Sequence, residues 1–362
     1  MGYKIYVYAI CKNESKFVER WVRSMSEADG IYVLDTGSTD DTVALLKQYG
    51  AHVTEEKIDP WRFDVARNRS LALVPEDADL CICTDLDEEF EPGWRHGFER
   101  ALASGAKRFR YRYTWNFQPD GSEGYVFWIE KAHLRHGFRW AHPVHEVLEY
   151  DGGNYVTQDV VGVQINHHAD QSKPRSQYLP LLELSVAEDP EDDRNMHSLG
   201  REYMYMRMWD QCIETLKRHL ALPKATWPDE RCASMRFISR AYIAKKMPRE
   251  AEAWLLRACA EAPHLREPWL EMAALLLKQE NWSGALYFAL RTLAIRERSR
   301  SYINEAESWG ARPHDIAAVA AYKLGLWQTA YDQGRLALEK APGDQRLSDN
   351  MRFYEGKLDH PD

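Results

Sequence analysis

An apolar run that leads directly into a cluster of acidic residues constrains the fold of this chain most strongly. Leu80–Cys83 (LCIC) is typical of a strand that is buried on both faces. Four acids follow within five positions, namely Asp85, Asp87, Glu88 and Glu89. Because repulsion among like charges raises the energy of the folded state, we expect a positive group beside them. Asp85 and Asp87 are spaced to supply two oxygen ligands to Mg²⁺ or Mn²⁺, and a solvated acidic turn is the alternative.

Strand-like and helix-like segments alternate through residues 1–110. This alternation predicts a parallel sheet with right-handed crossover helices. Three polar turns, at 11–15, 35–42 and 84–89, follow predicted strands. In such sheets ligands bind beyond the carboxyl ends of the strands, so we expect the three turns to converge in space.

Composition limits the classes of protein to which the chain can belong. Its 362 residues suffice for two or three domains, and no apolar run approaches the roughly 18 residues of a membrane helix. The strand-like start predicts no signal peptide, and six cysteines without zinc spacing indicate reduced thiols, so we expect a cytoplasmic protein. A net charge of −9 disfavours a broad nucleic-acid surface but leaves room for a local basic groove.

A short sequence motif recurs through the C-terminal half and predicts a repeat architecture. A Trp or Pro followed three positions later by a small residue opens a helix-like segment at 209, 248, 282 and 327. The spacings are 39, 34 and 45 residues, and 34 is the length of a tetratricopeptide repeat. Residues 176–358 therefore resemble a tetratricopeptide array of about four units, and a generic helical domain is the alternative. Such arrays form binding or dimerising surfaces and bring no chemistry of their own.

The residues of the three polar turns predict a binding site for a nucleoside diphosphate. Asp35, at a predicted strand end, can accept hydrogen bonds from a base or a ribose, and Gly37 followed by Ser38 lets the backbone approach a ligand closely. Asp85 and Asp87 can hold a cation that binds two phosphates. The sequence has neither a P-loop nor a G-x-G-x-x-G motif, which argues against ordinary kinases and dinucleotide oxidoreductases.

Four motifs, in this order, carry a resemblance to a known family. They are Lys12-Asn13-Glu14, DTGSTDDT at 35–42, Ala66-Arg67-Asn68 and TDLDE at 84–88. Together they resemble the family-2 glycosyltransferases of the GT-A fold, over about residues 3–170. The resemblance implies an α/β, Rossmann-like GT-A domain at 1–170, followed by the all-α tetratricopeptide-like domain at 176–358. The chain is also similar to bacterial peptide S-glycosyltransferases, and WAHPVHE at 140–146 resembles a stretch of lipopolysaccharide-type members.

The resemblance implies a donor and residues that bind it. By this resemblance the donor would be a nucleotide sugar, most often a UDP-sugar, and the sugar would be transferred with inversion. By position, Asp35 would hold the uracil or its ribose, and Arg67 would meet the base or the diphosphate. Ile10 and Thr36 complete this donor-binding set. Many family members have a second acid where this chain has Thr36, which leaves the base open; a solvated or helix-paired side chain is the alternative for Arg67.

The resemblance also implies a Mn²⁺ or Mg²⁺ ion at the acidic turn. Asp87 would contact the metal itself, and Asp85 would contact the ribose and metal-bound water. His145, His167 or His168 would complete the metal shell or touch the diphosphate, and His167 is the leading candidate. A satisfied surface histidine is the alternative for His167.

An inverting displacement needs a base on the acceptor side. Glu146 is the leading candidate for that catalytic role, with Glu88 and Glu89 behind it. The alternative for Glu146 is a plain ion pair with a basic residue such as Arg139. Tryptophans in this region can stack on sugar faces, but core packing is the commoner role of Trp.

The sugar acceptor is the least constrained part of the prediction. A repeat domain favours a polypeptide or a second copy of the chain, so a peptide or protein side chain leads, and a homodimer through the repeats is another use of that surface. A lipopolysaccharide or other glycan comes next, then a modified nucleic-acid base. Two rivals from other classes are a non-catalytic repeat scaffold with a relic nucleotide-binding domain and a nucleotidyltransferase.

Overall fold

The computed structural model describes residues 2–118, 121–170, 178–299 and 301–359. The chain divides into two units, Met1–Glu188 and Asp189–Asp362. The described strands of the first unit are β1 (Ile5–Cys11), β2 (Gly30–Asp35), β3 (His52–Glu55), β4 (Leu80–Cys83), β5 (Glu88–Phe90), β6 (Arg108–Thr114), β7 (Val126–His133), β8 (Phe138–Ala141), β9 (Val147–Tyr150) and β10 (Thr157–His167). Its helices are α1 (Ser15–Ser24), α2 (Thr42–Gln48), α3 (Phe63–Ala72), α4 (Trp94–Leu102) and α5 (Tyr178–Glu188).

Eight of these strands form one mixed sheet in the order β3-β2-β1-β4-β7-β6-β10-β5. The pairs among β1 to β4 are parallel, as the alternation of strands and helices predicts. The other half is not purely parallel, because β7 runs antiparallel to β4 and β6, and β5 runs antiparallel to β10. Strands β8 and β9 form a separate antiparallel pair. The parallel pairing was therefore predicted correctly for the first four strands and does not extend to the whole sheet.

The acidic residues after β4 lie partly in a turn and partly in a strand. The turn holds Asp85 and Asp87, and the chain then continues as β5, which is the edge strand beside β10. Glu88 and Glu89 are therefore strand residues, and the prediction that they lie in a turn was wrong. The register sets His167 opposite Glu88, so the end of β10 lies next to the acidic turn.

Both faces of β4 are buried, as its apolar sequence predicts. Alternate side chains pack towards α1 and α4 on one face and towards β8 on the other. Helix α1 contributes Trp21, which is fully buried and donates its Nε1 hydrogen to Thr84 Oγ1 at 3.1 Å. The hydrophobic core thus holds the first residue of the acidic turn in place.

Hydrogen bonds join the turns after β1 and β2, as predicted. Asn13 N donates to Ser38 Oγ at 2.8 Å, and Thr39 N donates to Asn13 Oδ1 at 2.7 Å. Asn13 has a φ of 55°, a left-handed conformation that Asn adopts more readily than most residues. The turn after β4 lies beside these two because β4 is the other neighbour of β1. The three polar turns therefore meet at one edge of the sheet.

The second unit is helical throughout its described regular structure. Its α-helices are α6 (Asp193–Tyr205), α7 (Trp209–Ala221), α8 (Pro228–Ala244), α9 (Pro248–Glu261), α10 (Arg266–Lys278), α11 (Trp282–Ala294), α12 (Arg312–Lys323), α13 (Trp327–Lys340) and α14 (Gln345–Asp359), and a 3-10 helix covers Ala306–Trp309. Consecutive helices pack against each other along the chain. The recurring motif lies at the start of α7, α9, α11 and α13, so the repeat prediction is confirmed. Among the described helices, none combines the length and apolar character needed to cross a membrane.

We predict that Gly200→Ala destabilises the helical unit by about 1–3 kcal/mol through overpacking. A methyl group at Gly200, in α6, would lie 2.3 Å from Leu216 Cδ2 in α7. Gly356→Ala in α14 is the matched control, because a methyl group there would meet no atom of the described residues within 4 Å. Chemical denaturation measures both changes. An unchanged unfolding midpoint for Gly200→Ala would contradict the close contact between α6 and α7.

Candidate active site

A buried lysine neutralises the acidic turn after β4. The Lys131 amine, on β7, donates to Asp85 Oδ2 and to Glu88 Oε1, at 2.7 Å in each case. Burial alone would lower the pKa of Lys131, but the two carboxylates raise it above its ordinary value. The protein itself therefore supplies part of the positive charge expected beside the acids. Lys131 was not among the predicted site residues, because it is far from the acids in the sequence and is brought beside them by the pairing of β7 with β4.

Glu88 is a buried anchor for this turn. Its Oε2 accepts a hydrogen bond from Asp85 N at 2.9 Å, and its Oε1 accepts one from the Tyr113 hydroxyl at 3.1 Å. Burial raises the pKa of Glu88, while the Lys131 amine opposes that shift. Because both carboxylate oxygens are engaged within the protein, this geometry suits a supporting role better than a role as the base.

Arg67 connects two predicted site residues. Its Nη2 donates to Asp85 Oδ1 at 2.9 Å, and its Nε pairs with the Glu146 carboxylate. Burial would raise the pKa of Asp85, but Arg67 and the nearby lysine amine hold it well below its usual range. Glu146 does form an ion pair, but its partner is Arg67, whereas Arg139 pairs with Glu149.

Each residue of the Ala66-Arg67-Asn68 motif has its own contact. Ala66 lies in a small buried hydrophobic cluster with Ile10 and Leu34. Asn68 exchanges two hydrogen bonds with the backbone of Trp140, both of 2.8 Å. The Arg67 guanidinium lies 5.3 Å from the centre of the Trp140 ring. Trp140 is thus a buried packing residue. Because Arg67 and Asn68 are both on α3, the hydrogen bonds of Asn68 to Trp140 fix the position of Arg67 relative to β8.

Asp35 and Thr36 shape the turn after β2. Asp35 is 2% exposed, and its Oδ1 accepts hydrogen bonds from the backbone nitrogens of Gly37 at 3.0 Å and Ser38 at 2.9 Å. Gly37 has a φ of 110°, in the left-handed region that favours glycine. The buried Thr36 hydroxyl donates to the Cys11 carbonyl oxygen at 3.0 Å. These residues therefore lie at the sheet edge and hold the turn, and their proposed contact with a nucleotide stays a prediction.

Asp87 and His167 form a pair that fits a cation. His167 Nδ1 lies 2.8 Å from the Trp115 carbonyl oxygen, so this nitrogen carries a hydrogen and donates it. His167 Nε2 lies 3.4 Å from Asp87 Oδ2. In the neutral tautomer an imidazole lone pair would face a carboxylate, which is unfavourable unless a proton or a metal ion lies between them. Burial would lower the pKa of His167, but Asp87 raises it, as expected for a site that attracts positive charge.

Asp85 is less suited than Asp87 and His167 to bind a metal ion directly. Each of its oxygens already accepts a charge-assisted hydrogen bond, one from Arg67 and one from Lys131. An indirect contact with a metal, through water, suits such a carboxylate better than direct coordination. His168 Nε2 lies 3.1 Å from Glu89 Oε2, so the histidine that approaches Asp87 Oδ2 is His167.

Comparison with known proteins identifies the first unit. Residues 6–131 match the family model described as Glycosyl transferase family 2. A lipopolysaccharide core biosynthesis glycosyltransferase of Rhizobium meliloti is 28% identical over 99 residues, which are 27% of this chain and 36% of that protein. An uncharacterized glycosyltransferase of Rickettsia conorii is 36% identical over 102 residues, which are 28% of this chain and 35% of that protein. The chain thus spans about a third of the length of the curated relatives that it matches.

Solved structures similar to the helical half include tetratricopeptide-repeat proteins. The crystal structure of YrrB aligns with a TM-score of 0.40 and 14% identity, over 49% of this chain and 84% of that chain. The crystal structure of MamA aligns with a TM-score of 0.38 and 18% identity, over 48% of this chain and 95% of that chain.

The sheet topology and the match over residues 6–131 identify a glycosyltransferase domain of the GT-A fold in the first unit. Residues 6–131 of that domain match glycosyltransferase family 2, and a tetratricopeptide-like helical unit follows in the chain.

We predict that Lys131→Met destabilises the first unit by about 3–5 kcal/mol, because it leaves two carboxylates without their shared buried cation. Adding Glu88→Gln should recover part of the loss, since it removes the carboxylate that loses its ion-pair partner, whereas Asp85 still pairs with Arg67. Lys107→Met is the matched control, because Lys107 Nζ bonds the neutral Tyr150 hydroxyl. Thermal and denaturant unfolding give the order of stabilities. Equal losses in the two lysine variants would show that the acidic turn does not depend on Lys131.

Proposed function

We propose that the first unit transfers a sugar from a nucleotide sugar, preferably a UDP-sugar, to an acceptor, with inversion and with a divalent cation. The observation that carries this proposal is the Asp87–His167 pair, beside the Asp85 and Glu146 carboxylates that Arg67 holds. All of these side chains lie at the sheet edge where ligands of such folds bind. The match of residues 6–131 to a glycosyltransferase family supports the same reaction class.

The donor would occupy the edge formed by the turns after β1 and β2. Asp35 and Thr36 hold the second turn, and Ile10 packs below it, so these residues would shape the pocket for the base and ribose. Arg67 already pairs with two carboxylates, and we propose that it mainly positions Asp85 and Glu146. A direct contact of Arg67 with the base or diphosphate remains part of the prediction.

Asp87 and His167 would hold the cation, and Asp85 would reach it through water. Mg²⁺ and Mn²⁺ both accept carboxylate oxygens, and imidazole nitrogen is a further ligand for Mn²⁺. When bound, the ion stabilises the negative charge that develops on the departing diphosphate. The position of Asp87 is fixed on the backbone side as well, because His168 N donates to its carbonyl oxygen at 2.8 Å.

Glu146 is the proposed base that removes the proton from the acceptor. Arg67 fixes the direction of its carboxylate through the ion pair. The residues just before it have an unusual backbone, since His142 has a φ of 77° and His145 a φ of 51°. Left-handed conformations of this kind in residues other than glycine are concentrated at functional sites. The loop before Glu146 therefore supports its assignment to the catalytic centre.

A peptide or protein side chain is the leading acceptor. The argument is the helical repeat unit, because arrays of this architecture present extended surfaces that bind polypeptides. A glycan acceptor is the second candidate, because the Rhizobium meliloti relative is described as acting in lipopolysaccharide core biosynthesis. The family-2 match covers residues 6–131, so it supports the donor side of the reaction more than either acceptor.

We predict that the protein releases UDP from UDP-sugars in the presence of Mn²⁺ or Mg²⁺ and that Asp87→Ala lowers this rate by about 100-fold or more, because cation stabilisation of the leaving group is lost. Asp77→Ala is the matched control, since Asp77 pairs with Lys4 next to the amino end of β1. Released UDP is measured with and without EDTA. Equal rates in the two variants, or release of pyrophosphate instead of UDP, would overturn the proposed reaction.

We predict that Glu146→Gln lowers the rate of sugar transfer, or of donor hydrolysis with water as acceptor, by about 10²–10⁴-fold because the base is lost. UDP should still bind, since the Asp87–His167 pair is intact. Glu149→Gln is the matched control, because Glu149 lies three residues away and pairs with Arg139. Rates and UDP affinities of both variants are compared with those of the wild type. A Glu146→Gln variant with full activity would exclude Glu146 as the base.

A further inference from the structure

A cluster of one imidazole and two carboxylates lies in the helical unit, outside the site described above. Asp193 is in the first turn of α6, His219 is in the last turn of α7, and Glu230 is in the first turn of α8. One ligand atom from each residue lies within 4.8 Å of the other two. Three consecutive helices thus bring ligand-type atoms to a single place.

His219 has a buried nitrogen that makes no hydrogen bond to the part of the chain that the structure describes. The side chain is fully buried, and Nε2 lies 3.4 Å from Glu230 Oε1 without hydrogen-bond geometry. Native proteins rarely leave a buried polar atom in this state without a reason. Two ligand atoms on a tetrahedral ion at 2.0–2.2 Å lie about 3.4 Å apart, which matches this separation.

The other nitrogen of His219 is held by a chain of hydrogen bonds. Nδ1 lies 2.9 Å from Ser234 Oγ, and the same oxygen lies 2.7 Å from His197 Nδ1. A hydroxyl has one hydrogen, so it can donate to one imidazole while it accepts from the other. When Ser234 accepts from His219 Nδ1, the Nε2 lone pair of His219 faces the carboxylates. A metal-bound histidine requires this tautomer.

Glu230 has a second partner on the side away from His219. The Tyr302 hydroxyl donates to Glu230 Oε2 at 2.6 Å, while Oε1 is the oxygen near His219. Ligating histidines and carboxylates in proteins usually have such hydrogen-bond partners behind them, which fix their orientation. Ser234 and Tyr302 therefore occupy the positions of supporting groups around a metal ion.

We propose that Asp193, His219 and Glu230 bind one divalent transition-metal ion and that Zn²⁺ is the favoured ion. Two carboxylates and one neutral imidazole balance a charge of +2, and three protein ligands leave one tetrahedral position for water. The imidazole favours a transition metal over Mg²⁺ or Ca²⁺, which prefer oxygen ligands. Asp193 is partly exposed and is the ligand with the most freedom to close on the ion.

A protonated His219 paired with Glu230 is the competing arrangement. In that arrangement one positive charge faces two carboxylates, whereas a zinc ion would supply two positive charges. The two arrangements differ in a measurable way, because protonation requires no metal. In the zinc-bound arrangement the ion joins α6, α7 and α8, so the thermal stability of the helical unit depends on metal. This site and its role are independent of sugar transfer.

The test measures zinc bound by the full chain in an Asp87→Ala background, which removes the candidate ligand of the first unit. The protein is stripped with EDTA, dialysed, and titrated with Zn²⁺. Bound metal is counted by mass spectrometry, affinity is measured by competition with a chelator, and melting temperature is recorded. The variants are Asp193→Asn, His219→Gln and Ser234→Ala. His264→Gln is the matched control, because His264 pairs with Asp229 at 2.8 Å in the same unit.

We expect one zinc ion per chain and a higher melting temperature with Zn²⁺. Loss of a supporting group typically costs 10–100-fold in metal affinity, so Ser234→Ala should fall in this range and loss of a ligand should exceed about 100-fold. His264→Gln should bind zinc like its parent. No zinc binding in the parent, or equal affinity in Asp193→Asn and the parent, would overturn the proposal. If His219→Gln does not fold, Asp193→Asn decides the result, since Asp193 is partly exposed.

Discussion

The first unit depends on two buried cations, Lys131 and Arg67, that offset the carboxylates gathered at the carboxyl end of the sheet. Lys131 bridges Asp85 and Glu88, and Arg67 bridges Asp85 and Glu146. A buried charge that loses its partner costs several kcal/mol, so none of these groups can be removed without consequence for the fold. Lys131 on β7 contacts two carboxylates of the acidic stretch, and Arg67 joins that stretch to Glu146, which lies elsewhere in the chain. The same interactions that neutralise the site therefore fix its geometry.

The acidic residues of this stretch have different roles in the site. Glu88 is fully engaged within the protein and holds the turn, whereas Asp87 faces His167 across a gap that suits a proton or a metal ion. Asp85 lies between these extremes, because its oxygens accept hydrogen bonds from both cations. Four acids in five positions are thus compatible with a single cation site, because the protein's own lysine and arginine neutralise much of the remaining charge.

Much of the first unit could be predicted from the sequence because local patterns determine it. Leu80–Cys83 is apolar throughout and forms the doubly buried strand, and the polar turns that follow parallel strands had to meet at one sheet edge. The strand β5 could not be foreseen, since Glu88 and Glu89 are poor strand formers and their conformation comes from pairing with β10. Lys131 was missed for a related reason. Its importance depends on the antiparallel placement of β7 beside β4, which spacing along the chain does not indicate.

In the helical unit, too, local features could be predicted from the sequence, whereas contacts between distant residues could not. The recurring Trp or Pro marked the starts of four helices, because the repeat is a local pattern. The cluster of Asp193, His219 and Glu230 escaped notice, because its members come from three helices and have no metal-binding spacing in the sequence. Only the packing of those helices brings them together.

The most direct test of the central claim is an isothermal titration of the wild-type protein with UDP, first with Mn²⁺ and then with EDTA. A donor site built around the Asp87–His167 pair predicts saturable binding of one UDP per chain with Mn²⁺ and an affinity at least about tenfold weaker with EDTA. Binding of equal strength under both conditions would contradict the cation site. No binding under either condition, in a folded sample, would contradict the assignment of the sheet edge as a nucleotide-sugar site.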